Sequence, residues 1–414
     1  MAGTPTKDAV CVDKPVCSTA ADRACSVDCP CASTEGVCTK DEQCVSGASC
    51  VAGSGKKVGR TGNTCLANHC NNDKKDSTET SVDCGGECGC RATFEVVTIK
   101  GLASDMTWAG LKAMSRDGKL LAGRVARGRT TYPAAVAMDG SVTELPSYGT
   151  WGSADVATAD SNVLIGVIGC ANPPSCSESA TGVAKWTGSG EPTIVGTNYN
   201  SSNVRGASSS GSVIVGDYYD TNAGYQGYII HGSSRANIPE LDQVAGVTPD
   251  GKYVVGLSPP STQVHLWEVQ TRAITKIGPT TWSSATIGGV NGTTPAVVGL
   301  AYIEATDTQV GFRWKNGTLT ELGVLSGGKY TWPKAVSFDG GTVVGLTGTS
   351  DFHQAFIWTD QKKLRSVVDE LVARGFEPPV DLKLTEAHFV SDDGKTIVGA
   401  EPAPTSSFWR VVLQ

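Results

Sequence analysis

Charge is scarce in this chain, and no run of lysine and arginine interrupts the scarcity. Charged residues make up 18% of the sequence, and 34 basic against 41 acidic side chains leave a formal net charge of -7. That balance argues against nucleic acid and against an anionic membrane surface as partners. Long apolar runs are missing too: none approaches the roughly 18 residues of a membrane span, so membrane insertion is not expected. Histidine is rare, and His231, His265, His353 and His388 fall in different parts of the chain. No metal-binding His-Glu-x-x-His helix, nucleophile elbow or phosphate loop appears, and no catalytic residue is assigned.

Cysteine is almost absent from the last three quarters of the chain, where Cys170 and Cys176 stand alone, yet thirteen of the fifteen lie before residue 91. Cys11, Cys17, Cys25, Cys29, Cys31, Cys38, Cys44, Cys50, Cys65, Cys70, Cys84, Cys88 and Cys90 are separated mainly by small, polar and charged residues. Too few large apolar side chains remain there to form a core, so cross-links must hold the segment together. Such density predicts a loop-rich disulfide module made in an oxidising compartment, hence an extracellular or cell-surface protein. Cys29-Pro-Cys31 and Cys88-Gly-Cys90 also have a spacing that zinc accepts, but the compartment favours disulfides. Their pairing is open. Cys170 and Cys176, with five residues between them of which two are prolines, are expected to join each other. An odd cysteine is left for self-association or for a partner. Met1 to Thr6 carry neither the basic nor the apolar part of an export leader, so either a leader has been replaced or the numbering starts at the mature end.

From Arg91 onward one phrase recurs, an apolar run ending in glycine at Gly123, Gly166, Gly216, Gly256, Gly299, Gly345 and Gly399. Before six of the runs stands a tight-turn pair: Asp117-Gly118, Ser210-Gly211, Asp250-Gly251, Asn291-Gly292, Asp339-Gly340 and Asp393-Gly394. Asp160-Ser161-Asn162 is the degenerate copy. Asp-Gly and Asn-Gly predict two-residue hairpin turns with both central residues at positive φ. A second apolar segment follows with an aromatic near its end, as at Trp186, Trp267, Trp314, Trp358 and Trp409, and then a third such as Leu319-Thr320-Glu321-Leu322. Four short strands in each repeat of about 40–54 residues is the signature of a propeller blade. The expected fold is therefore all-β: a disulfide-rich module over residues 1–91, then a seven-bladed β-propeller over 92–414. The last copy stops after its third strand, and Phe94 to Ile99 can supply the fourth and close the ring. An open β-solenoid is the alternative. Leu364 to Gly375 breaks the rhythm with helical spacing of Leu364, Val367, Val368, Leu371 and Val372, predicting a helix that replaces or caps the fourth strand of blade six.

Two stretches resemble known material. Gly36 to Cys50 together with His69 to Cys88 is similar to cysteine-rich modules of myxobacterial surface and secreted proteins. In its own chemistry the second piece sets Asn72, Asp73, Asp76, Glu79 and Asp83 on one short loop, an oxygen-ligand density suited to calcium, a solvated acidic turn being the alternative. The phrase Ala335-Val336-Ser337-Phe338-Asp339-Gly340-Gly341-Thr342-Val343-Val344-Gly345 with His353-Gln354-Ala355-Phe356 resembles the bacterial extracellular repeat family named for its His-Ala-Phe motif. That resemblance implies an exported β-repeat protein and no particular activity.

Thr-Trp pairs precede the first strand of four repeats, at Trp108, Trp151, Trp282 and Trp332. All four lie in blade-to-blade connections, on the face opposite the hairpin turns. They are candidates for an aromatic platform that binds a glycan or a surface protein, the alternative being that each wedges between blades. The expected role is adhesion or binding. The alternatives are a polysaccharide lyase or hydrolase with a site drawn from several blades, and a subunit of an extracellular assembly.

Overall fold

A computed structural model describes residues 48–51, 64–67, 92–147, 151–159, 161–169, 180–200, 202–258, 262–350, 352–374, 376, 378–379, 382–400 and 406–413. Within residues 1–91 this leaves a two-stranded antiparallel pair, Ala48–Val51 with Thr64–Ala67, whose register sets Cys50 opposite Cys65. Cys70, Cys84, Cys88, Cys90, Cys170, Cys176 and the proposed calcium residues lie outside the described residues.

Seven four-stranded sheets follow one another around a ring. Their first strands are Thr107–Met114, Gly152–Ala157, Ser202–Ala207, Gln243–Val247, Ser284–Asn291, Tyr330–Val336 and Ala387–Val390. The seventh sheet runs from Ala387–Val390 through Thr396–Ala400 and Ser407–Leu413 to Ala92–Thr98, so the chain's early strand is its fourth member, as expected from the truncated last repeat. Ile99 N–H donates to Ser406 O at 2.8 Å, and Val97 and Ile99 pack with Met114, Leu121 and Val136 of blade one and Val398 and Phe408 of blade seven. Closure leaves no sheet edge between the first and last blades.

The apolar clusters lie between blades. Ala122 and Leu145 of blade one share a cluster with Leu164, Ile168 and Trp186 of blade two, and Val298 and Leu322 of blade five share another with Val343, Phe356 and Trp358 of blade six. The strand-end aromatics Trp186, Trp267, Trp314, Trp358 and Trp409 are all buried, the first four in such clusters. Each sheet therefore needs both neighbours to cover its faces, which ties blade stability to ring closure.

The turns between first and second strands differ from the two-residue expectation. In blade one Ser115 N–H donates to Leu120 O at 2.8 Å and Gly118 N–H to Ser115 O at 2.9 Å, so the loop has four residues, and only Gly118 takes a positive φ, 71°. Asp117 stays out of the left-handed region because its carboxylate is used inside the loop. It accepts from Ser115 Oγ at 2.6 Å and from Lys119 N–H at 3.1 Å. The same Ser/Thr-to-Asp bond recurs at Thr248–Asp250, Ser337–Asp339 and Ser391–Asp393. The helix also differs. Lys363–Ser366 is a regular fourth strand of blade six, with Leu364 opposite Trp358, and the helix follows it over Val367–Ala373. Pairing with the third strand overrides the helical spacing at Leu364.

Val97 and Ile99 each contribute roughly 1.5–3 kcal/mol by burial. A chain beginning at residue 101 should therefore melt roughly 10 °C below one beginning at residue 92. Equal melting temperatures by calorimetry would contradict closure by the early strand.

Candidate functional site

Every first strand carries a β-bulge at one equivalent position, and the first strand of blade one has a second at Ala109. The register skips one residue at Lys112, Asp155, Arg205, Ala245, Gly288, Lys334 and His388. Each of these stands three positions before the residue that opens the strand-one turn: Ser115, Thr158, Ser208, Thr248, Asn291, Ser337 and Ser391. A bulge leaves its extra residue outside the ladder and re-aims the side chain. Five of the seven positions, Lys112, Asp155, Arg205, Ala245 and Gly288, line an axial cavity of about 750 Å³.

The recurring glycine is the other half of the same device. A Cβ at Gly345 would overlap the carbonyl oxygen of Trp332, two residues before the bulge, and would lie 2.9 Å from Phe356 Cε1 on the third strand. The carbonyls of Gly110, Ser153, Asn203, Gln243, Thr286 and Glu386 press in the same way on Gly123, Gly166, Gly216, Gly256, Gly299 and Gly399. The bulge drives a carbonyl onto the second strand, and only a residue without a side chain accommodates it.

Three cations and two carboxylates meet in the cavity. Arg205 is bound to Asp217, Nε to Oδ2 at 2.8 Å and Nη2 to Oδ1 at 3.3 Å, and Asn203 Nδ2 donates to the same carboxylate at 2.8 Å. Asp217 is 1% exposed. Asp155 accepts from Ser153 Oγ at 2.7 Å. Burial pushes the Asp155 carboxyl above its usual range, while the Ser153 hydroxyl and the charges of Lys112, Arg124 and Arg205 pull it back down. Lys112 and Arg124 make no ion pair among the described residues. Arg124 Nε makes a long contact of 3.4 Å to Ala109 O. On the remaining arc Lys334 pairs with Glu386 at 3.2 Å, and His388 Nε2 lies 3.7 Å from the same carboxylate. Burial lowers the His388 pKa, opposed by Glu386 and assisted by Lys334.

At the turn end the axis is bridged by polar groups. Arg116 Nη1 donates to Asn291 Oδ1 at 3.1 Å, and Asn291 Nδ2 donates to Asp392 Oδ1 at 2.8 Å and to Val336 O at 3.1 Å. These bonds join blades one, five, six and seven, and Asp392 N–H donates to Arg116 O at 2.7 Å. At the other end the lip is aromatic. Tyr219 and Tyr225 face each other across a hairpin, edge to face at 5.3 Å, with exposures of 47% and 45%.

The four tryptophans expected in the connections have unlike surroundings, and Trp108 and Trp332 lie within first strands while Trp151 and Trp282 stand just ahead of theirs. Trp151 lines the axial cavity and lies over Gly169. Trp108 covers Gly123 and packs against the closing cluster, and Trp282 lies over Gly278 with its ring 4.7 Å from Phe312. Trp332 carries the Lys334 ammonium over its ring at 3.4 Å. All four are partly buried. Of the histidines, His265 is buried opposite Gly256, where blade six has Phe356 opposite Gly345, and His353 Nε2 is hydrogen-bonded to Tyr330 Oη at 2.8 Å. Among the described residues no three His, Cys, Asp or Glu side chains form a metal-binding group.

No family model and no curated protein matches the sequence. Among solved structures the fold is similar to an oligogalacturonate lyase from Vibrio parahaemolyticus, with 12% identity, a TM-score of 0.51, and 78% of this chain and 97% of that one covered. A TolB from Acinetobacter baumannii aligns at 12% identity and a TM-score of 0.41, over 61% of this chain and 63% of that one. An acylaminoacyl peptidase from Pyrococcus horikoshii aligns at 12% and 0.43, over 67% of this chain and 50% of the other. The chain thus spans under two thirds of the TolB chain and half of the peptidase. At these identities the likeness is one of fold, and the lyase supports the seven-bladed propeller.

A carboxyl raised by burial holds its proton more tightly in the folded chain than in the unfolded one, whose value is the ordinary 3.8. Ionised Asp155 therefore costs stability above its raised pKa, and that cost vanishes as pH falls below the ordinary one. Asp155→Asn should raise the melting temperature by a few degrees at about pH 7 and leave it unchanged at about pH 3. A loss of stability at the higher pH would show that the ionised carboxylate is held favourably by the cations around it.

Proposed function

We propose that this protein is an exported binding module that takes a glycan terminus, or a protruding segment of a surface protein, into the axial cavity. The observation that carries this reading is the cavity itself: about 750 Å³, polar within and lipped by Trp151, Tyr219 and Tyr225. Sites that bury small ligands have volumes of roughly 300–1,000 Å³, which suits a few sugar rings and not a folded domain. Flat aromatic faces at the mouth suit the C–H faces of sugars, and hydroxyl and amide groups deeper in suit their hydroxyls. Export is supported by the cysteine density of residues 1–91 and by the resemblance of the repeats to the His-Ala-Phe family. Calcium in the early module and a Cys170–Cys176 disulfide belong to the same reading. Of the four repeated tryptophans, Trp151 alone enters the binding role in this reading, and Trp108, Trp282 and Trp332 brace the blades.

Asp155 favours a second reading. A carboxyl with a raised pKa, close to cations and open to a cavity, has the properties of a general acid, as a polysaccharide-cleaving enzyme would need. If so, Asp155→Asn abolishes turnover of a cleaved polysaccharide and leaves binding intact.

Alanine replacement separates lip from brace. On a glycan array, Tyr219→Ala and Tyr225→Ala should each weaken binding by roughly 1–3 kcal/mol with melting unchanged. Trp282→Ala should instead cost roughly 3–5 kcal/mol of folding stability. Retained binding in both tyrosine variants would place the ligand elsewhere.

A further inference from the structure

Resting on that axial reading, we propose that the ligand is an acidic oligosaccharide whose carboxylate is taken by Lys112 and Arg124, with the sugar face stacked on Tyr219 and Tyr225. The charges facing the cavity are not evenly spent. Arg205 is committed to Asp217 through two hydrogen bonds, and Lys334, on the remaining arc, to Glu386 at 3.2 Å. Lys112 and Arg124 sit side by side on neighbouring strands of blade one, Lys112 at the bulge and Arg124 directly after the repeat glycine Gly123. Neither has a carboxylate partner among the described residues.

A guanidinium and an ammonium facing one space, neither held in an ion pair and with only the burial-raised Asp155 carboxyl close enough to feel their charge, are a site for a planar anionic group. Arginine supplies the paired donors that match a carboxylate, and lysine a mobile point charge. The cavity lining also holds the hydroxyls of Thr131 in blade one and Thr286 in blade five, which suit sugar hydroxyls, and the aromatic lip stands above. An acidic peptide would satisfy the cations but would leave the paired tyrosine faces without a matching surface. The bulge takes Lys112 out of the ladder, and both it and Arg124 line the cavity.

The test is titration calorimetry of the full chain with an oligouronate trisaccharide, with its carboxyl-reduced neutral counterpart, and with a short polyglutamate. We expect the oligouronate to bind at least tenfold more tightly than the neutral sugar, with a preference that shrinks as ionic strength rises. Lys112→Gln and Arg124→Gln should each lower oligouronate affinity about tenfold and erase the preference, with melting temperatures checked in parallel. Tyr219→Ala should weaken both sugars alike. Equal binding of the acidic and neutral sugars would overturn the acidic ligand and leave the axial glycan site standing. Binding of neither sugar would overturn both, and tighter binding of polyglutamate would assign the cations to a peptide.

Discussion

One steric constraint organises the propeller: in every blade a carbonyl of the first strand is driven against the second strand, and a glycine receives it. The carbonyl is pushed there by a bulge two residues later, and the bulge exists at Lys112, Asp155, Arg205, Ala245, Gly288, Lys334 and His388 alike. Gly299, Gly345 and Gly399 also lie under Phe312, Phe356 and Trp409, so the bare backbone serves a carbonyl and an aromatic ring at once. The repeat is recognisable in sequence for this reason. Its glycine is fixed by geometry, while the residue at the bulge is free to vary.

That freedom is where function enters. A side chain at a bulge is outside the hydrogen-bond ladder, and Ala245 apart it belongs to none of the apolar clusters described, so its identity costs the fold little. The chain has used it to place charge of both signs around one axis. Gly288 is an instructive exception: a Cβ there would overlap the Pro333 carbonyl of blade six, so packing between first strands decides that position and chemistry does not. Arg205 and Lys334 find carboxylates, Asp217 on the second strand of the same blade and Glu386 at the start of blade seven, while Asp155 is held by the Ser153 hydroxyl. Blade one has no such counter-group, and the asymmetry of the cavity follows from that.

Much of the fold was legible because it rests on features that repeat. The glycines, the Asp-Gly pairs and the missing last strand gave the blades, their number and the closing partner at Phe94 to Ile99. Two local readings failed for physical reasons. Asp117-Gly118 reads as a two-residue turn, but the Asp117 carboxylate closes a four-residue loop with Ser115 and never enters the left-handed region. Leu364 reads as helical, but its backbone pairs with Trp358 before the helix begins. The candidate site was harder to see. Trp108, Trp151, Trp282 and Trp332 attract notice by repetition, yet repetition marks what the fold needs as readily as what a ligand needs, and Trp108 and Trp282 pack on apolar clusters. The cavity residues vary from blade to blade, and only their fixed distance from the Ser, Thr or Asn of the turn betrays them.

In this reading the ligand enters the axial cavity, between the Lys112–Arg124 pair and the Tyr219–Tyr225 lip, and does not lie over Trp282 and Trp332. A crystal structure of the protein soaked with an oligouronate tests this most directly. Sugar density between Tyr219 and the Lys112–Arg124 pair, with its carboxylate within hydrogen-bond reach of Arg124, is the predicted result. Ordered sugar over Trp282 and Trp332 with the axial cavity empty would contradict it.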